Sequence, residues 1–152
     1  MARTVKAEGL RELGAAFKTL NADVQTNVAC AATNAGAQVI KKRIAELAPV
    51  APEPYKVEDV IVQPKNIARN VVVKRMKPGE TSATSEHIIV VRGKRKYGYA
   101  SRVAALQEFG TVSQPANPFF RPGADQAVEP ALGALKKRFK SRIEKAIKEA
   151  GK

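Results

Sequence analysis

Pro49, Pro52 and Pro54 fall within six residues. No α-helix passes through such a cluster, because each proline removes a backbone donor and clashes with the preceding turn. Any helix before residue 48 must therefore stop there, and the chain beyond must start extended. The sequence on the near side is helical in pattern. From Ala7 to Leu20 the apolar residues Leu10, Leu13, Phe17 and Leu20 recur at helical spacing, weakened by Gly9 and Gly14. Asn21 is a good N-cap for a second, longer helix reaching about Leu47. Its predicted apolar stripe is Val24, Val28, Ala31, Ala35, Val39 and Leu47, with Ile40 and Ile44 beside it. Alanines and Gly36 in that stripe invite close approach by another backbone, through either helix–sheet packing or a subunit contact. Lys41, Lys42 and Arg43 lie near the helix C-terminus, where cations suit the dipole.

Beyond the prolines the pattern turns to β. Residues 49–56 read as an extended linker within one domain, since too little core precedes them for two. Val57 to Val62 is a short strand ending at Pro64; Ile67 to Arg75 and His87 to Arg92 are Val/Ile-rich strands. Met76 to Glu86, with Pro78-Gly79, reads as a long hairpin loop. Short connections predict antiparallel pairing, and the continuous Val/Ile runs predict cover on both faces. Gly93 to Gly98 is a basic loop carrying Lys94, Arg95 and Lys96, either a solvated turn or a contact for phosphate or an acidic partner.

Tyr99 to Phe109 reads as a short helix, closed by Gly110 in a left-handed conformation. Residues 111–120 form a proline-punctuated loop, and from Arg121 the chain is helical again. Glu129-Pro130 marks a kink or a restart. Leu132, Leu135, Phe139, Ile143 and Ile147 form an amphipathic stripe, opposite Lys136, Lys137, Arg138, Lys140, Arg142 and Lys145. The expected fold class is α+β. A small antiparallel sheet of three to four strands (about 57–92) packs against long N-terminal helices (about 7–47), a short helix (about 99–109) and a C-terminal amphipathic helix (about 122–150), within a single domain of residues 1–152. There is no internal repeat.

Charge narrows the function. The net formal charge is +13, distributed as +3 over residues 1–48, +5 over 49–96, −1 over 97–130 and +6 over 131–152. A balance this basic favours an anionic partner, nucleic acid or an acidic protein surface. The single cysteine, Cys30, excludes an internal disulfide and fits a reducing compartment. No apolar run has membrane-spanning length, and the N-terminus has no apolar core resembling a signal peptide, so synthesis in the cytosol and no membrane association are expected.

The search for chemistry is short. His87 alone, at the start of a strand, is read as a strand-edge or loop residue, and Cys30 among alanines as a buried structural thiol. One histidine and one cysteine cannot build a conventional zinc site. The acidic residues lack metal-loop spacing, and there is no glycine-rich phosphate loop or nucleophile elbow. Glu108 has no carboxylate partner for acid–base work and is expected to cap or salt-bridge beside the Gly110 turn. The chain is read as a non-enzyme with no cofactor and no metal.

One stretch stands apart. Leu106 to Asp125 holds three of the five phenylalanines and three of the nine prolines, inside the non-basic part of the chain. Tyr99-Ala100, then Leu106-Gln-Glu-Phe-Gly-Thr111, then Pro115-Ala-Asn-Pro-Phe-Phe-Arg-Pro-Gly-Ala-Asp125 resembles the signature of a tail-completion (tail terminator or neck) family of long-tailed bacteriophages. That family's pattern runs Glu-Phe-Gly-Thr, a short loop, then Pro-Ala-x-Pro-Phe-Leu-x-Pro-Ala. Phe120 replaces the usual leucine and Gly123 the usual alanine. Gly9, Leu10 and Leu13 fit the family's N-terminal Gly-Leu-x-x-Leu, and Ala48-Pro49 ends a long Ala-rich helix as in relatives. Residues 50–56 depart from the Thr-Gly usual at that place.

The resemblance implies a structural protein of the virion, made in the host bacterial cytoplasm and placed at the head-proximal end of the tail. Such proteins form a ring, commonly hexameric, that terminates the tail tube and docks on the head-completion or stopper protein, with DNA passing non-specifically through the lumen. Interface candidates are Glu108, Phe109, Gly110, Thr111, Pro118, Phe119, Phe120 and Arg121, with one of the paired rings inside the protomer and the other at the subunit contact. Candidate contacts for DNA or an acidic partner are Lys94, Arg95, Lys96, Lys136, Lys137 and Lys140. The competing expectation is a free, basic cytosolic nucleic-acid-binding protein.

Overall fold

The computed structural model describes residues 10–77 and 85–150. Helix α1 spans Leu10–Lys18 and α2 spans Ala22–Leu47. Asn21 takes the extended conformation of an N-cap, but its side chain makes no cap bond. The start of α2 is tied instead by Gln25, whose Nε2 donates to the Leu20 carbonyl at 2.7 Å. The helix ends at Ala48, held extended before Pro49.

The last helix, α5, spans Phe120–Ala150. It starts one to two residues earlier than its sequence pattern indicates, and it continues through Pro130 with neither a restart nor a second helix. Helices α2 and α5 make the main contact of the fold. Val28, Ala32, Gly36 and Ile44 are buried on α2, and Gly123, Ala127, Ala131 and Ile143 on α5. Both rows repeat in steps of four, the ridge that interlocks with its like on a neighbouring helix. Gly36 lies against Ala131 and Leu135, and Gly123 against Ile44, so the two helices run antiparallel. A Cβ at Gly123 would sit 2.9 Å from the Ile44 Cα, and one at Gly36 3.2 Å from the Ala131 carbonyl oxygen. The small residues of α2 therefore serve a helix–helix contact within the chain, a partner neither sequence alternative named. The four-residue row also slants across the expected stripe, leaving Val24, Ala31, Ala35 and Val39 only half-buried.

The α+β class holds, and the four strands among the described residues are split between two separate antiparallel hairpins rather than joined in one sheet. The 57–62 run is not one strand. Strand β1 (Tyr55–Val57) turns through Glu58, at φ 55°, into β2 (Val60–Val62). Residues 67–70, expected as strand, belong to a short helix, α3 (Asn66–Asn70). The buried Asn70 amide folds back onto the Asn66 carbonyl and side-chain oxygen, each at 2.9 Å, closing the turn locally. Strands β3 (Val71–Arg75) and β4 (His87–Val91) then pair, Val71 opposite Val91 and Arg75 opposite His87. Residues 78–84 of the expected hairpin loop lie outside the described residues. Cover of this hairpin is partial: Val71 is buried, but β4 is half-buried along its whole length.

A short 3₁₀ turn (Arg95–Tyr97) and α4 (Ala100–Phe109) complete the chain. Ile44, Ala48, Ile67, Val71, Ala104 and Phe119 form one core cluster, drawing on α2, α3, β3, α4 and the loop before α5. Phe17 of α1 stacks obliquely on Phe139 of α5 at 5.2 Å between centroids. Among the described residues no helix is long and apolar enough to cross a membrane.

Candidate assembly interface

The α4–α5 junction is built around Glu108. Its carboxylate is buried in the last turn of α4 and accepts three backbone hydrogen bonds across the loop. Phe119 N and Phe120 N donate to Oε2 at 2.8 Å, and Arg121 N to Oε1 at 3.1 Å. These are amides of the first turn of α5, which would otherwise lack acceptors. The carboxylate also sits at the positive end of the helix dipole, with Arg121 Nε 4.0 Å away. Burial pushes the Glu108 pKa up. The amide bonds from Phe120, Phe119 and Arg121, with the Arg121 charge, outweigh it and hold the group below the ordinary glutamate value.

The loop between is closed locally. Gly110 has φ 76° and ψ −177°, a region open essentially to glycine alone rather than the expected left-handed helical conformation. A Cβ there would lie 2.8 Å from the Ala116 nitrogen. Thr111 caps the next turn, as its chemistry suggests: its Oγ1 accepts from Gln114 N at 3.0 Å, and its own amide donates to the Gln114 carbonyl at 2.8 Å. Asn117 N donates back to the Gln107 carbonyl at 2.7 Å, stapling the loop to α4.

This framework divides the candidate residues. Glu108 and Phe119 point inward, and at 2 % exposure Phe119 belongs to the protomer core. Phe120 packs half-buried against the same core, edge-on to Phe119 at 6.2 Å. Phe119 is thus the ring inside the protomer, and Phe120, packed against it, keeps part of its surface exposed. The cap holds the backbone amides of both residues on one carboxylate oxygen. Thr111, Pro118 and Arg121 are exposed. The outward aromatic is Phe109, 65 % exposed, with the Arg121 guanidinium 5.0 Å above its ring. Leu106 and Val112, absent from the sequence candidates, are exposed beside it in sequence. Their signal was available, since both are apolar residues flanking the Gly110 turn, Leu106 in the last turn of α4 and Val112 in the loop that follows.

The basic candidates lie on different elements. Arg95 is engaged by Glu58, at 2.9 Å from its Nε, and by Asp59, so the 3₁₀ turn is tied to the β1–β2 turn. Arg92 and Lys96 each lie over the Tyr97 ring, at 5.0 and 5.1 Å. Lys94 is exposed. On α5, Lys140 pairs with Glu144 at 3.9 Å, while Lys136 and Lys137 share the helix segment that packs Phe139 on α1. His87 is a strand-start residue, its Nδ1 2.9 Å from Thr33 Oγ1. Burial, then Arg75, lower its pKa. Cys30 is half-buried rather than buried. Among the described residues no cluster of His, Cys, Asp and Glu could hold a metal.

Comparison with known proteins finds no matching family model, no similar curated protein and no similar solved structure.

Proposed function

We propose that this chain is a structural component of the head–tail junction of a tailed bacteriophage, a ring-forming protein that completes the tail tube and joins it to the head connector. The reading rests on the residue pattern of 99–125. The observation that carries it is the outward display of Leu106, Phe109 and Val112 from a junction whose inner side is locked by Glu108 and Phe119. Apolar side chains displayed from the last turn of α4 and the start of a proline-stiffened loop lose little entropy on docking, which suits a subunit contact. A small protomer with few large buried side chains gains stability by ring closure. At Gly123, where the family pattern has alanine, α2 comes too close for a Cβ, so this departure matches the chain's own helix packing. The basic faces fit transient contact with DNA in the lumen, without base recognition.

Electron microscopy and native mass spectrometry of the purified chain, alone and mixed with tail-tube and stopper proteins of the same phage, test the reading. A closed homo-oligomeric ring is expected, forming alone or on the tube end. A chain that stays monomeric in every mixture contradicts it. If that monomer also binds duplex DNA with a steep salt dependence, the nucleic-acid-binding reading takes its place.

A further inference from the structure

A cleft of about 670 Å³ lies between the C-terminal half of α2, the proline segment and α3, within the ~300–1,000 Å³ range of ligand-holding sites. Its lining brings the cations Lys41, Lys42 and Lys65 together with the apolar Ala45, Ala48, Val50 and Ala68. No carboxylate of the described residues pairs with these three lysines. The nearest acidic group in the cleft, Glu46, is engaged by Arg43 at 3.2 Å. This cationic group therefore lacks internal neutralisation, unlike Arg95 with its two carboxylates.

Lys65 adds a second observation. It sits at φ 63°, ψ 22°, in the left-handed region that costs an ordinary side chain strain and glycine none. The position needs only that conformation to start α3; a lysine there keeps a charge in the lining at the expense of backbone ease.

We propose that this cleft is a docking site for an acidic amphipathic segment of a partner protein, whose carboxylates meet Lys41, Lys42 and Lys65 and whose apolar side chains cover Ala45, Ala48, Val50 and Ala68. Nucleic acid fits less well. Lysines contact phosphate as well as carboxylate, but a phosphate backbone brings no apolar side chains to cover Ala45, Ala48, Val50 and Ala68, whereas an amphipathic segment does. The inference does not depend on ring formation.

The probe is a fluorescein-labelled helical peptide with leucines on one face and glutamates on the other, read by anisotropy against the full chain. Controls are the same peptide with glutamine for glutamate and a duplex DNA of arbitrary sequence. The acidic peptide should bind, with both controls weaker by about tenfold or more. Lys41→Glu/Lys42→Glu should weaken peptide binding by a similar factor with an unchanged melting temperature. Lys65→Gly should weaken binding while keeping or raising the melting temperature, the signature of a strained residue retained for its charge. Absent binding, binding unchanged in both variants, or tighter binding of the DNA overturns the proposal. Oligomeric mass is measured in parallel, so a monomer that still takes the peptide removes the ring reading and leaves this one standing.

Discussion

The α4–α5 junction and the 92–99 segment each contain a glycine at positive φ, Gly110 and Gly98, yet they are held in opposite ways. The junction is fixed from inside, by a buried carboxylate on three amides and a phenylalanine in the core. The basic segment is fixed from outside, by Arg95 on Glu58 and Asp59 and by cations over Tyr97. Buried, charge-assisted hydrogen bonds contribute more than exposed ion pairs, which water and salt screen. The junction can thus present its outer residues in a set geometry, while the basic segment keeps its charges adjustable. The proposed function would use the first as a docking loop and the second as a non-specific electrostatic surface.

Breaking the junction should be the costlier act. Phe119→Ala removes a ring from the shared core and should destabilise the chain by about 3–4 kcal/mol, read by chemical denaturation. Glu108→Ala leaves three helix-start amides without an acceptor and should cost about 2–3 kcal/mol. The loop between Gly110 and Phe119 should then lose hydrogen-exchange protection before the rest of the chain does. The same carboxylate gives a pH signature. Its folded pKa lies below the ordinary value, so its contribution is present above the unfolded glutamate pKa and disappears as pH falls through the folded one. Glu108→Gln should flatten that acid limb of the stability curve. Arg95→Ala, by contrast, should cost less than about 1 kcal/mol, and the difference from wild type should vanish at high salt. A larger loss at Arg95 than at Glu108 would reverse the comparison.

Much of this architecture was legible residue by residue. The leucine and phenylalanine spacing of 10–20, the cut at Ala48-Pro49 and the Gly110 terminus placed α1, α2 and α4, because each signal is local. Glu108 was recognisable as a capping group from its place beside the glycine turn. Its targets were not, because they lie eleven to thirteen residues further on and depend on how the loop closes. The same closure decides how far each phenylalanine is exposed, so the sequence pattern names Phe109, Phe119 and Phe120 alike as interface candidates. The short hairpin at 55–62 escaped because a Val-rich run looks continuous until Glu58 turns it. The abundance of small residues on α2 was visible, but the four-spaced row they form and its partner on α5 emerge only when the two helices lie side by side.

If the junction is a docking loop, Phe109 works for assembly and not for the fold. Native mass spectrometry of wild type and Phe109→Ser, with melting temperature as the control, tests this most directly. The expected result is a discrete oligomer for wild type, alone or on the tail tube, and a monomer for the variant, with the stability of the monomers changed by less than about 0.5 kcal/mol. An oligomer that persists unchanged in Phe109→Ser, or a variant that unfolds along with losing assembly, would contradict it.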